Sequence, residues 1–152
     1  MKNPYSDEHF MREALLEARI ALSRGEIPVG AVMVSEGIIV GRGRNSTERG
    51  ALPFAHAEML ALSDAGANLR RRRFDGCTLY ITLEPCPMCA GAIMQTRVSR
   101  VVYGAKDPRA GAAGTLYDIL RDSRIAHKCD VTDGILASEA SDLLRTFFRA
   151  KR

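Results

Sequence analysis

Residues 77–105 constrain the fold more than any other stretch, because they place one helix between two β-rich segments. "CTLYITLEP" (77–85) alternates in polarity and predicts a strand, and "CPMCAGAIMQT" (86–96) predicts a helix that starts after Pro85. "SRVVYGA" (99–105) predicts the next strand. A strand–helix–strand unit of about thirty residues forms a parallel strand pair with the helix on one face of the sheet. The sequence therefore predicts an α/β fold.

The rest of the chain adds helices and strands around this unit. Residues 7–24 place apolar side chains at helical spacing, with Ser6 or Asp7 available as the cap. A tight turn containing Gly37 at positive φ joins two short apolar runs that predict strands. The further predicted elements are strands at 27–34 and 38–42 and helices at 54–69 and 141–152.

Length and composition predict one soluble domain. The 152 residues, 46% of them hydrophobic, suit a single domain spanning 1–152 with one core. The N-terminus has no apolar signal-peptide region, and the apolar runs are too short to cross a bilayer, so we expect a cytoplasmic protein with no membrane partner. A net charge of +4 permits a polyanionic partner without requiring one.

Cys86, Cys89 and His56 form a set of ligand types that favours zinc. Side chains in the first turn of a helix lean toward its N-terminus, and the positive end of the helix dipole favours thiolates there. Three protein ligands leave a fourth position for water, whose pKa zinc lowers to about 7. Glu58 is a poorer zinc ligand than the thiolates, so we expect it to be the general acid and base.

Two other interpretations of the cysteines stay open at this point. Cys86 and Cys89 alone resemble a redox pair, which leaves the nearby His56 and Glu58 unexplained. A fourth protein ligand would instead make the zinc structural, and the candidates are Cys77, Cys129 and His127. The alternation of strand 77–85 predicts that Cys77 is a buried apolar residue.

His56-Ala57-Glu58 followed by Pro85-Cys86-Pro87-Met88-Cys89 matches the zinc deaminase signature H-x-E…P-C-x-x-C. Together with "IPVGAV", the Asn45 loop, "GAKDPRAGAAGTL" and "FFRAKR", it resembles the bacterial tRNA-specific adenosine deaminase family nearly end to end. The resemblance implies a cytidine-deaminase-like three-layer α/β/α fold with a central mixed five-stranded sheet. It also implies a homodimer that converts the wobble adenosine of a tRNA anticodon stem-loop to inosine.

The resemblance also implies a role for each matched site residue. His56, Cys86 and Cys89 resemble the ligands of one Zn²⁺ per chain, and Glu58 resembles the proton shuttle. The implied substrate contacts are Asn45 and the Ala57 backbone on the base, Pro28, Val29 and Leu83 as pocket walls, Asp107 on the nucleotide backbone, and Phe148 with Arg149 on the RNA loop. Alternatively, Asn45 caps a turn and Asp107 is a turn residue before Pro108.

Two features lie outside the resemblance. Arg70 to Arg73 predict either a solvated loop or a phosphate-contacting patch, whereas Arg149, Lys151 and Arg152 suit an RNA contact better. Phe54 stands where the family usually has a small polar residue, so we expect it to alter either the pocket or the dimer contact.

Three functions are compatible with these features. The first is a tRNA adenosine deaminase, and the second is a deaminase of a free base or nucleoside such as guanine or cytosine. The third is a non-catalytic, zinc-stabilised binding module, which would have no use for Glu58. The "GAKDPRAGAAGTL" loop and the terminal "FFRAKR" helix favour the first function.

Overall fold

The computed structural model describes residues 5–151. The helices are α1 (Asp7–Ser23), α2 (Ala57–Leu69), α3 (Pro87–Gln95) and α4 (Ala137–Ala150), and the strands are β1 (Gly30–Ser35), β2 (Ile38–Arg44), β3 (Thr78–Leu83), β4 (Arg100–Ala105) and β5 (Asp130–Thr132). They form one sheet in the order β2-β1-β3-β4-β5. β1 is antiparallel to β2 and β3, whereas the β3–β4 and β4–β5 pairs are parallel. The predicted mixed five-stranded sheet is confirmed.

The helices cover both faces of the sheet, which confirms the three-layer arrangement. α2 and α3 pack on the face that carries Met33 and Leu79. α1 and α4 pack on the opposite face, which carries Val32 and Tyr80. Because side chains alternate along a strand, each central strand contributes to both cores and is buried on both faces. Among residues 5–151, no helix has the length and apolar character needed to cross a membrane.

Local hydrogen bonds set several helix and strand boundaries differently from the predictions. β1 begins at Gly30 rather than at residue 27, because the amide of Val29 donates to the Ile27 carbonyl at 2.9 Å and forms a turn. α2 begins at Ala57 rather than at residue 54, because the amide of Ala55 donates to the Leu52 carbonyl at 3.1 Å. The apolar periodicity of the sequence extends through these turns, but the backbone there is neither strand nor helix.

The C-terminal part of the chain also differs from the prediction. β5 has three residues, too few for periodicity to identify as a strand. α4 begins at Ala137, four residues before the predicted start. Arg152, predicted to lie at the end of this helix, is outside the described residues. By contrast, α1 agrees closely with its prediction, since the Ser6 hydroxyl caps it by accepting from the His9 amide at 3.1 Å.

A polar network joins α1 to three strands at the end of the sheet where β3 and β4 begin. The guanidinium of Arg100 donates two hydrogen bonds of 2.8 Å to the Asp7 carboxylate, and the Tyr80 hydroxyl donates a third of 2.9 Å. Arg100 also donates to the Thr132 hydroxyl on β5 at 2.9 Å. The hydrogen bonds from Arg100 hold the pKa of Asp7 below its usual value. We call these four residues the basal network.

Glycines on β2 allow α2 to lie directly on the sheet. A Cβ atom at Gly43 would stand 2.1 Å from the Ala57 carbonyl oxygen and 2.5 Å from the Ala61 amide nitrogen. A Cβ atom at Gly41 would stand 2.5 Å from the Ala61 carbonyl oxygen. All of these are backbone atoms of α2, so the clash cannot be relieved by a side-chain rotation. The distance between α2 and β2 therefore depends on these two glycines.

We expect Gly43→Ala to lower the free energy of unfolding by roughly 1–3 kcal/mol, because the added methyl group overpacks the α2–β2 contact. Gly91→Ala is the matched control, since a Cβ at Gly91 in α3 meets nothing within 4 Å. Alanine is the better helix former, so this change should raise the free energy by up to about 1 kcal/mol. Urea unfolding of the two variants measures both effects. Equal effects of the two substitutions would contradict the close-packing account.

Candidate metal centre and cavity

Segments from four strands meet at one end of the sheet, opposite the basal network. Parallel β3 and β4 both finish there, at Leu83 and Ala105. β2 also ends there at Arg44, beside the start of β1 at Gly30. Ligands of open α/β sheets bind beyond the carboxyl ends of the strands. The ends of these strands therefore define the position of the site.

Two helix starts bring three metal-ligand side chains together at this end. His56 is the N-cap residue of α2, Cys86 is the N-cap residue of α3, and Cys89 lies in the first turn of α3. Nδ1 of His56 lies 3.6 Å from Sγ of Cys86 and 3.5 Å from Sγ of Cys89. All three ligand atoms fall within 4.8 Å of one another, so they can bind a single ion. One imidazole and two thiolates form a donor set that fits zinc.

The two thiols titrate very differently. Hydrogen bonds from Cys89 and His56 lower the pKa of Cys86 to about 4. The hydrogen bond that Cys89 makes to Cys86, together with burial, raises the pKa of Cys89 far above its usual range. The hydrogen bond between His56 and Cys86 raises the pKa of His56. Because metals bind thiolates, a metal held here would favour the deprotonated form of both cysteines.

The other candidate ligands lie elsewhere. Cys77, just before β3, contacts the Arg71 guanidinium at 3.3 Å, and it is fully buried as predicted. Nε2 of His127 lies 2.6 Å from the Val98 carbonyl oxygen, and Cys129 is buried beside β5. Within residues 5–151, the three-residue cluster is the one group placed to hold a metal. A zinc ion held by these three residues would have a fourth position free for water, as catalytic zinc sites do.

A cavity of about 190 Å³ opens beside the cluster. Its lining contains seven of the predicted site residues: Val29, Asn45, His56, Glu58, Leu83, Cys86 and Asp107. Glu58, in the first turn of α2, is 4% exposed, and burial raises its pKa to about 7. A carboxyl group with that pKa can both accept and release a proton at neutral pH.

The remaining predicted residues lie outside this lining. Pro28 and Ala57 are buried and adjoin lining residues in the chain, and Cys89 is buried in the first turn of α3. Phe148 lines an adjoining groove with Ile27, Leu83 and Asp107, and the Arg109 guanidinium lies 6.0 Å from its ring centroid. Phe147 is buried and Phe148 is 44% exposed, so one of the two faces solvent, as predicted. Arg149 borders a shallow depression with Phe148.

Neither Phe54 nor the arginine run contributes to the cavity lining. The Phe54 side chain is 68% exposed, in the turn before α2. Arg70 to Arg73 are exposed at the far end of α2, whose 13 residues span about 20 Å. Arg73 pairs with Asp75 at 3.5 Å, as a solvated loop residue does. The arginine run therefore cannot contact a nucleotide held in this cavity.

Three lining residues were not predicted as site residues from the sequence. They are Ile27, Glu84 and Ala110. Glu84 had a usable signal, because a carboxylate at the end of an apolar strand, directly before Pro85-Cys86, is expensive to bury without partners. Ile27 and Ala110 had no signal that separates them from ordinary core residues.

Comparison with known proteins agrees with this geometry. Residues 4–105 match the family model of the cytidine and deoxycytidylate deaminase zinc-binding region. The chain is 47% identical to a tRNA-specific adenosine deaminase from Bacillus subtilis (strain 168), over 96% of this chain and 91% of that protein. A solved structure from work on tRNA:A34 deaminases that act at the wobble position is 41% identical with a TM-score of 0.85, covering 90% of this chain and 99% of that chain.

Guanine deaminase has a similar fold at lower sequence identity. The structure of guanine deaminase from Nitrosomonas europaea is 27% identical to this chain, with a TM-score of 0.83. The alignment covers 96% of this chain and 86% of that chain. A guanine deaminase structure from Bacillus subtilis is 38% identical with a TM-score of 0.66, but it covers only 73% of this chain and 71% of that chain. The fold is therefore shared by deaminases of different substrates.

We expect purified protein to contain about one zinc per chain, and Cys86→Ala to contain almost none, because two remaining ligands cannot complete the centre. Cys129→Ala is the matched control, since it removes a buried thiol outside the cluster and should keep the zinc. Atomic absorption on the purified proteins measures the metal content. Zinc retained in Cys86→Ala, or lost in Cys129→Ala, would contradict the assignment.

Proposed function

This chain belongs to the tRNA-specific adenosine deaminases, within the zinc-binding cytidine and deoxycytidylate deaminase family, and we propose from that premise how its residues convert the wobble adenosine of a tRNA anticodon loop to inosine. One observation carries the proposal. The carboxyl group of Glu58 is buried in the same cavity as His56 and Cys86, which places a proton carrier beside the metal ligands.

The reaction is a hydrolysis in which adenosine and water give inosine and ammonia. Zinc held by His56, Cys86 and Cys89 supplies a Lewis acid that makes water a better nucleophile at neutral pH. Glu58 takes a proton from the attacking water and transfers it to N1 of adenine while the oxygen attacks C6. Glu58 then delivers the second proton to the amine, which departs as ammonia. A pKa of about 7 suits both transfers.

We assign the cavity walls to the target base. Val29 and Leu83 present apolar surface to the faces of the ring, and Asn45 offers an amide to its edge. Asn45 is 6% exposed, and its backbone amide donates to the Val29 carbonyl at 3.0 Å. That hydrogen bond holds the end of β2 against the segment before β1. The free-energy cost of moving the base into the cavity is lowest in a single-stranded loop, because the base has little stacking to lose there.

We assign the neighbouring groove to the rest of the RNA loop. Asp107 borders both the cavity and the groove, so it is placed to contact the nucleotide backbone between them. Phe148 offers an exposed ring for stacking, and Arg109 and Arg149 beside it supply positive charge. Deamination of a free base or nucleoside has no use for such a groove.

We expect Glu58→Gln to lower kcat at least about 100-fold, because an amide cannot carry the proton. The variant should keep about one zinc per chain, since Glu58 is not a ligand. Inosine formation in an anticodon stem-loop RNA, measured beside zinc content, tests both statements. If the Glu58→Gln protein deaminates as fast as the parent, the proposed proton transfer by Glu58 is wrong.

A substrate panel separates the proposed function from its alternative. The parent protein should release ammonia from stem-loop RNA carrying a wobble adenosine, and not from free guanine, cytosine or adenosine. Activity on guanine or cytosine with no activity on RNA establishes the free-base alternative. Zinc-loaded protein that is inactive on every substrate establishes the non-catalytic module.

We also infer that the protein works as a homodimer in the cytoplasm. Its cysteines are unpaired among the described residues, which suits a reducing compartment. Large apolar side chains stand exposed on two loops near the cavity end, at Leu52 and Phe54 after β2 and at Leu116 and Tyr117 after β4. Clustered exposed apolar surface is typical of protein interfaces. A second copy of the chain is the partner that the family resemblance implies.

Light scattering should give the mass of two chains, and Phe54→Thr should shift the protein toward the monomer, because it removes an exposed ring from the inferred interface. Ile38→Thr is the matched control, since Ile38 is 65% exposed on the β1–β2 hairpin at the opposite end of the sheet. A parent protein whose scattering mass is that of one chain contradicts the homodimer. If Ile38→Thr dissociates the dimer and Phe54→Thr does not, the interface lies elsewhere.

A further inference from the structure

Glu84 is a buried carboxylate that the proposed reaction does not use. It lies between the end of β3 at Leu83 and Pro85-Cys86, and it is 2% exposed. Its side chain borders the cavity near the metal ligands. Burying a carboxylate is expensive unless hydrogen bonds replace its lost water. The partners of Glu84 therefore indicate what it does.

All of those partners come from one segment, residues 107–115, which we call the 107–115 loop. One oxygen of Glu84 accepts from the Asp107 amide at 3.0 Å and from the Thr115 hydroxyl. The other oxygen accepts from the amides of Ala113 at 3.0 Å and Thr115 at 3.1 Å. A carboxylate has about four acceptor sites, so no site is left for a substrate. Glu84 thus borders the cavity without being free to react in it.

The loop is shaped around this carboxylate. A Cβ at Gly111 would stand 2.5 Å from Cδ of Glu84, so glycine is needed for the loop to approach so closely. The amide of Ala112 donates to the Pro85 carbonyl at 2.8 Å, which adds a second bond to the segment that carries Cys86. The loop is therefore fastened to the chain immediately before a metal ligand.

The same loop supplies part of the cavity wall. Asp107 and Ala110 line the cavity, and the backbone amide of Asp107 donates a hydrogen bond to Glu84. The Asp107 side chain in turn accepts from the amides of Arg109 at 2.9 Å and Ala110 at 3.2 Å. Moving the Asp107 amide would therefore move the wall and the groove together.

We propose that Glu84 is a positioning residue, which fixes the 107–115 loop relative to Cys86 and so sets the distance between the RNA-contacting wall and the metal centre. The proposal rests on the function proposed above for the use of that distance, but the fixing of the loop stands independently of it. Glu84 acts through Asp107 and does not touch the reacting atoms.

Glu84→Gln tests the proposal with little change in volume. Its amide nitrogen cannot accept, so either the Asp107 amide or the amides of Ala113 and Thr115 lose their acceptor. Amide hydrogen exchange of the 107–115 loop should become about tenfold faster or more. On anticodon stem-loop RNA, KM should rise about tenfold, with a smaller fall in kcat and about one zinc retained per chain.

Thr115→Val removes the hydroxyl donor alone and provides a milder test if Glu84→Gln folds poorly. It should raise KM and loop exchange in the same direction by less, and Thr115→Ser, which keeps the donor, should lose less than Thr115→Val. Ser99→Ala is the remote control, because the Ser99 hydroxyl accepts from the Gly76 amide at 2.7 Å at the opposite end of the sheet. It should leave loop exchange and KM unchanged.

Different failures are distinguishable. If the parent protein does not act on RNA, the proposed function fails, while amide exchange still tests the fixing of the loop. If Glu84→Gln and Thr115→Val leave loop exchange at the parent rate, the positioning role is wrong. If Glu84→Gln loses zinc and kcat with unchanged loop exchange, the carboxylate serves Cys86 rather than the loop, which also overturns the proposal.

Discussion

The direct contact of α2 with β2 is the constraint on which the rest of the site depends. Gly41 and Gly43 let the helix backbone lie against the strand, and this places His56 and Glu58 at a fixed height above the sheet. α3 is fixed separately. It connects the paired strands β3 and β4, and this pairing determines the position of its first turn, which carries Cys86 and Cys89. The metal centre forms only where the two helix starts meet.

Three of the buried glutamates serve two different purposes. Glu84 is held by four donors, and Glu26, 1% exposed, accepts from the amides of Glu48 at 2.8 Å and Arg49 at 2.9 Å. Each of these two carboxylates fastens a loop. Glu58 lacks such a set of backbone donors, and its pKa rises to about 7. Four donors hold the Glu84 carboxylate in place, whereas burial keeps Glu58 able to exchange a proton near neutral pH.

The sequence predicted the parts of the molecule that repeat a pattern or carry a motif. The β3–α3–β4 unit, the capped helix α1, the turn at Gly37 and the three metal ligands all have local signals. β5 was implied only by the family resemblance, because three residues show no periodicity. The turns before β1 and α2 depend on short-range backbone hydrogen bonds that the apolar periodicity does not indicate. The partners of Glu84 lie 23 to 31 residues further along the chain, so sequence order alone could not identify them.

The basal network has a consequence for how the molecule admits a substrate. Asp7, Tyr80, Arg100 and Thr132 tie α1 to β3, β4 and β5 at the end of the sheet farthest from the metal ligands. That end resists separation of the helix layer from the strands. A base that enters the cavity at the opposite end therefore does not need to disturb the contact between α1 and the strands.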